Sequence, residues 1–394
     1  MSDLEAENRE LKARIEVLEE ELDALALKCA KMGAMSSPVV EEGEEETKTA
    51  QSLFGEYEAI RVVDGSAALL SKKASAEVFE AAGRLNCLSV AIRSESQFAA
   101  AGADSSVRLW TREFDTWSNS STVKVSAPVI TLKWEPSQRQ ILCACSMDGR
   151  VHLLTVVHDD DDDDSSFFEL KVTTTLKDHE KFVVDCDFTA DGKLFVTCGR
   201  DKSVNLYVKN DTGEGYAKSR SFVLPNNPEC LRFAPDASTL IVSARGEPFL
   251  RYLDVVTLDE KRVSLNDSKW DTHVSFDVLC LAVSDTHVVA ATSKDRHIVY
   301  RLGDNRHFRI LTGHASDDYA NTRVALMGNT VVSSSSSVDL FQWDLTSGKL
   351  LTKVERAHGQ PVRNLDVLQD QLILATCSFD KYVRLWPLVV VSSS

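Results

Sequence analysis

TCSFDKYVRLW, residues 376–386, is the stretch whose reading decides the fold. Thr376-Cys377 ends a short apolar run, and Ser378-Phe379-Asp380-Lys381 forms a turn in which an Asp side chain can bond its own backbone two residues on. Tyr382 to Trp386 then has the composition of a strand with one face against a core. The same unit recurs upstream as ADSSVRLW ending at Trp110, SMDGRVHLL at Leu154, GRDKSVNLY at Tyr207, ARGEPFLRY at Tyr252, SKDRHIVYR at Arg301 and SSSVDLFQW at Trp343. Successive ends lie 42 to 53 residues apart. A period in that range predicts an all-β, seven-bladed β-propeller.

A second mark repeats with the first. His179, His273, His314 and His358 each stand 28 or 29 residues before a terminal position. Six residues before the end comes a turn residue, Asp104, Asp148, Asp201, Asp295 or Asp380, with Gly246 in the fourth unit and Ser337 in the sixth. Such residues suit a hairpin between two strands.

On Gly313-His314, Trp343-Asp344 and the run from Asp380 to Trp386, the chain resembles the WD-repeat β-propeller family over roughly residues 56–389. The resemblance implies a buried hydrogen-bonded set of His, Ser or Thr, Asp and Trp in each blade. His358, Thr376, Asp380 and Trp386 would make one complete set. His179, Thr197 and Asp201 would make most of another, with Tyr207 in place of Trp, and His314 and Trp343 would frame a third. Ala100, Ala144 and Ala291 fill the Ser/Thr position and Arg301 an aromatic one. Arg301, Gly246 and Ser337 mark blades whose lock is expected to be missing.

Composition bounds the rest. With 43% hydrophobic residues in 394 there is material for a large core, and no apolar run reaches the ~18 residues of a membrane span. The N-terminus MSDLEAENRELK carries charges where a signal peptide needs apolar residues. Eight of the nine cysteines lie beyond the N-terminal segment, mostly in strand-like runs, where a reduced thiol acts as a small hydrophobe. Cytoplasm or nucleus is the expected compartment. The net charge of −16 is local: residues 1–50 hold 14 acids and 6 bases, and 159–164 are six aspartates, which leaves the blades close to neutral. That distribution argues against broad nucleic-acid binding through the tail or the acidic loop.

Three regions follow: a coiled-coil helix at 1–34, an acidic flexible linker at 35–55, and the propeller at 56–394 with an acidic loop at 158–166. Leu4, Leu11, Leu18 and Leu25 fall at heptad position d, and Asn8, Ile15 and Leu22 at a. Glu7 facing Lys12 and Arg14 facing Glu19 of a second copy favour a homodimer; a lone amphipathic helix or a coil with a different protein is the alternative. The chain stops soon after Trp386, leaving too little for an outer strand, so a strand from Tyr57–Lys72 is expected to complete the last blade.

The recurrence of His, Ser or Thr and Asp in blade after blade reads as structure rather than as a hydrolase triad, which needs one exposed, oriented set. No phosphate-binding GxxxxGK[ST] loop and no HExxH zinc motif is present. Cys143-Ala-Cys145 has no second Cys or His pair nearby in sequence, so neither metal nor cofactor is expected. The chain is read as a non-enzymatic scaffold or adaptor that binds other proteins. The alternative is a signalling subunit resembling the heterotrimeric G-protein beta subunit with a helical partner. The resemblance puts partner contacts on the narrow face, where the corresponding residues are Lys181, Phe182, Arg200, Lys294, Gln360, Arg363 and Phe379. Their basic and aromatic character points to an acidic or phosphorylated segment.

Overall fold

The computed structural model describes residues 67–158, 168–210, 215–266, 274–303, 306–315, 321–335 and 338–391. The heptad segment 1–34, the linker 35–55, the aspartate run 159–164, His273 and Ser337 lie outside the described residues.

Strands β1 (Ala67–Leu70) and β2 (Ala76–Val78) open the described chain. The first blade is β3 (Cys87–Ser94), β4 (Gln97–Gly102), β5 (Ser106–Glu113) and β6 (Thr116–Lys124). The second is β7 (Val129–Trp134), β8 (Ile141–Ser146), β9 (Val151–His158) and β10 (Phe168–Leu176). The third is β11 (Val183–Phe188), β12 (Leu194–Gly199), β13 (Ser203–Lys209) and β14 (Tyr216–Val223). The fourth is β15 (Pro228–Phe233), β16 (Thr239–Ala244), β17 (Phe249–Asp254) and β18 (Glu260–Ser264). The fifth is β19 (Val278–Val283), β20 (His287–Thr292), β21 (Arg296–Arg301) and β22 (His307–Thr312). The sixth is β23 (Val324–Met327), β24 (Thr330–Ser334), β25 (Leu340–Asp344) and β26 (Leu350–Val354). The seventh has β27 (Val362–Leu368), β28 (Ile373–Ser378) and β29 (Val383–Val391). Each blade is a separate antiparallel sheet in chain order. The first strand of each blade touches that of the next, and β27 touches β3, so the seven sheets close into a ring.

The seventh blade takes its outer edge from the other end of the chain. β29 pairs with β28 on one side; on the other it pairs with β1, from Ala67↔Val391 to Leu70↔Leu388, and with β2, from Ala76↔Leu385 to Val78↔Val383. The break between β1 and β2 has a local cause. Pro387 turns its carbonyl toward this edge, where Ser71 N donates to it at 3.0 Å, but it has no N–H to give back. The chain bows away over residues 71–75 and returns at Ser75, whose N–H donates to the Leu385 carbonyl at 2.8 Å.

Burial explains the strand compositions. The second strand of a blade has a neighbouring blade on both faces, and β4 (QFAAAG) and β8 (ILCACS) are buried at every residue, with small side chains where the sheets crowd. Outer strands face solvent, and β6 (TWSNSSTVK) and β14 (YAKSRSFV) are accordingly polar. The innermost strands are also tied sideways. Ile92 N donates to Asp366 Oδ2 at 2.9 Å, Leu132 N to Ser89 Oγ at 2.9 Å, and Leu231 N and Phe233 N to Asp185 and Asp187 at 3.1 and 2.7 Å. The first of these joins the seventh blade to the first, where chain connectivity gives no help.

Leu70 on β1 is buried with Val332, Leu340, Leu374 and Trp386, and its N–H donates to Gln342 Oε1 at 2.6 Å. Truncating it empties the joint between the last two blades. Leu70→Ala is expected to lower the unfolding free energy by about 2–5 kcal/mol in denaturant melts, whereas Phe79→Ala, at a half-exposed ring, should change it by under about 0.5 kcal/mol.

Candidate interaction site at the mouth of the ring

The turns that surround one end of the ring are fixed by the repeated aspartates. Asp104, Asp148, Asp201 and Asp380 each accept a hydrogen bond from the backbone N–H two residues on, at 3.1, 3.2, 3.0 and 3.0 Å. The residue between takes the left-handed conformation, with φ of 61° at Ser105, 82° at Gly149, 68° at Lys202 and 73° at Lys381.

In the seventh blade, His358 Nδ1 lies 3.0 Å from Asp380 Oδ2, and its Nε2 lies 2.7 Å from Thr376 Oγ1, which also accepts Trp386 Nε1–H at 2.8 Å. The third blade has His179 against Asp201 at 3.1 Å and Thr197 at 2.8 Å, with Ser203 and Asn205 joining the set. Tyr207 is reached differently: its hydroxyl donates to Asp178 Oδ2 at 3.1 Å, beside the histidine. Both imidazole side chains are completely buried, so no substrate can approach them. Burial lowers both histidines, against the opposing pull of their aspartates. Burial also pushes Asp380 up, but its bonds with His358, Gly359 N and Tyr382 N outweigh this and hold it at about 2. A neutral imidazole that donates from Nδ1 to a carboxylate and accepts at Nε2 from a hydroxyl satisfies the whole chain.

The sixth blade departs from the expected set. His314 is buried but neither ring nitrogen has a hydrogen-bond partner, and Trp343 Nε1–H goes instead to the Thr312 carbonyl at 2.9 Å. The reason is an intruder from the fifth blade. His297 takes Ser333 Oγ at 2.8 Å and stacks on His314 with ring centroids 4.1 Å apart. The aromatic position of the fifth blade is also one residue earlier than the spacing implies. Tyr300 faces Val288 just as Trp343 faces Val331 and Trp386 faces Leu374, and Tyr300 is fully buried while Arg301 is exposed. In the fourth blade, whose turn carries Gly246, a buried ion pair takes the place of a lock, with Arg251 held bidentate by Glu247 at 2.6 and 2.7 Å.

These turns frame a cavity of about 300 Å³ bordered by six of the seven blades, which places it on the ring axis. Ile130, Met147, Phe182 and Leu279 give it an apolar wall, and among the described residues Arg200, Arg245, Arg323 and Arg363 share the lining with one carboxylate, Glu229. Glu229 is already committed: Arg200 holds it bidentate at 2.8 and 2.8 Å, and Arg245 Nε lies 2.8 Å from it. The other two arginines meet no carboxylate among the described residues. Arg323 Nη1 donates to the Leu279 carbonyl at 3.0 Å and Arg363 Nη1 to Asn321 Oδ1 at 3.1 Å. Burial, then the Arg323 charge, lowers Arg363 to about 10, so it stays cationic at neutral pH in a place that disfavours it.

Of the residues expected on this face, Phe182, Arg200 and Arg363 border the cavity; Lys181, Lys294, Gln360 and Phe379 do not. Arg245 and Arg323 also border the cavity, and the repeat spacing hides both. Arg245 holds the place before a turn, as Arg200 does, but its turn residue is Gly246 rather than Asp. Arg323 follows His314 by nine residues where Arg363 follows His358 by five, so an insertion hides the equivalence.

Residues 170–207 and 348–387 match the family model described as WD domain, G-beta repeat. Those two stretches contain the third- and seventh-blade hydrogen-bonded sets. Among curated proteins the chain is 26% identical to WD repeat-containing protein 1 of Xenopus tropicalis over 55% of this chain and 36% of that one. It is 24% identical to Pre-mRNA-processing factor 17 of Mus musculus over 64% and 48%. To Transducin beta-like protein 2 of Homo sapiens it is 22% identical over 55% and 50%. The matches thus span between about a third and a half of these relatives.

Two measurements probe the locks. Thr376→Val keeps the shape but leaves His358 Nε2 and Trp386 Nε1–H unpaired, which should cost about 2 kcal/mol or more in denaturant unfolding. The histidines also set a pH dependence. His179, His297, His314 and His358 are all lowered from 6.5, chiefly by burial, so below that value the unfolded chain binds protons that the fold refuses. The melting temperature should fall as pH drops from about 7 to about 5, and His314→Phe should flatten that fall.

Proposed function

From a chain that belongs to the WD-repeat β-propeller family, we propose a non-enzymatic adaptor that grips an acidic or phosphorylated segment of a partner protein at the mouth of its ring. The observation that carries this reading is the pair Arg323 and Arg363. Among the described residues neither meets a carboxylate; cations so placed are costly to hold in a partly desolvated cavity, and an incoming anion relieves that cost while gaining charge-assisted hydrogen bonds. The apolar wall of Met147, Phe182 and Leu279 supports recognition of a peptide rather than a bare anion, because it offers surface for a hydrophobic neighbour of the acidic group.

The N-terminal heptads are proposed to pair two copies, so that two rings engage one target; two tethered sites gain roughly 10²–10⁴-fold in avidity when both can reach. The cytoplasm or nucleus is the proposed setting. Among the described residues no helix is long and apolar enough to cross a membrane.

Fluorescence anisotropy with a peptide of clustered glutamate or phosphoserine beside leucine tests the site. Arg323→Glu and Arg363→Glu should each weaken binding by about 10-fold or more, and Lys261→Glu, away from the mouth, should leave it unchanged. Equal binding of an uncharged peptide, or indifference to both reversals, overturns the assignment. For the pairing, sedimentation should give a dimer for the full chain and a monomer once residues 1–35 are removed; an unchanged mass contradicts it.

A further inference from the structure

The second and third blades meet in a core that contains three cysteines. β8 alternates so that Cys143 and Cys145 share one face, and β11 of the next blade brings Cys186 against them. All three are fully buried, the sulfurs of Cys143 and Cys145 are 3.8 Å apart, and all three sulfurs lie within 4.8 Å of one another. Around them are Ile141, Val151, Leu153, Val183, Phe188 and Phe195, which offer no ligand atom, and Tyr207 and Tyr216, whose hydroxyls are committed to Asp178 Oδ2 and the Gly192 carbonyl.

We propose that Cys143, Cys145 and Cys186 form a three-coordinate site for a soft, thiophilic cation, with monovalent copper as its occupant. An ion centred in a triangle of 3.8 Å edges sits about 2.2 Å from each corner, close to the ~2.3 Å of a thiolate bond to zinc. The two edges to Cys186, each within 4.8 Å, shorten by up to about 1 Å on ligation. Ligand chemistry selects the ion. Calcium and magnesium require oxygen ligands, and zinc completes four positions with a further side chain or a water, neither of which this apolar pocket supplies. Thiolates without nitrogen or oxygen partners favour monovalent copper.

The thiolate is the ligating form, so each of the three cysteines gives up its proton to solvent as the ion enters. No electron is transferred; copper enters and remains monovalent. Once bound, it ties β8 to β11 across the joint between two blades.

The full chain, reduced and free of oxygen, is titrated with monovalent copper and read by native mass spectrometry and by near-ultraviolet thiolate-to-copper absorption. One equivalent is expected, with a higher melting temperature for the loaded protein. Cys186→Ala should lower affinity by about 100-fold or more, while Cys377→Ala, in a different blade, should not. In the unaltered chain, copper should protect all three cysteines, and no others, from alkylation during partial unfolding, a readout that does not depend on a variant folding. Failure to take up one equivalent, uptake insensitive to Cys186→Ala, or protection of other cysteines overturns the site.

Discussion

The antiparallel pairing of β29 with β1 and β2 is the contact on which the rest of the ring depends. Six blades are each built from consecutive strands, so their hydrogen bonds form locally. The seventh is completed across more than 300 residues of chain, as Leu70↔Leu388 and Val78↔Val383 show. Without it, β29 would present an unpaired edge, the standard template for association with another chain. Closing so long a loop has an entropic cost that grows only slowly with length, which makes such a distant closure tolerable once side-chain burial accompanies it. Leu70 supplies that burial against the sixth blade, and Asp366 fastens the seventh blade to the first by accepting Ile92 N–H.

Closure is also what creates the mouth. Its lining comes from six blades, each contributing the start of an innermost strand or the turn after a second strand, so no blade alone contains a site. The buried imidazole sets hold those turns. His179 and Asp201 stand beside Arg200, and His358 and Asp380 beside the strand that begins at Val362 and carries Arg363. Where the set is absent, other chemistry holds the turn: the Arg251–Glu247 ion pair in the fourth blade and the His297–His314 stack near the sixth. The stack leaves three buried ring nitrogens without partners, which makes that joint sensitive to acid.

The architecture was legible in the sequence because a propeller repeats its local chemistry. An Asp turn, a buried strand and an aromatic end appear at one period, and the period names the fold before any contact is known. The site was only partly legible. Spacing found Arg200 and Arg363, whose blades keep the family turn, and missed Arg245 and Arg323, whose blades do not. It placed the fifth aromatic position at Arg301 rather than Tyr300 because a count from the end of a strand carries no information on which residue faces inward. The sulfur cluster was invisible for a different reason: Cys186 lies 41 residues beyond Cys145, and only the stacking of two sheets brings them together.

Native-state hydrogen exchange on the edge formed by residues 67–78 and 383–391 tests the closed ring most directly. The amides paired between β1, β2 and β29 should exchange only through the same cooperative opening as the innermost strands, with protection that falls in parallel as denaturant is added. Exchange of the β1 and β2 amides at the rate of an unpaired chain, while the innermost strands stay protected, would contradict it.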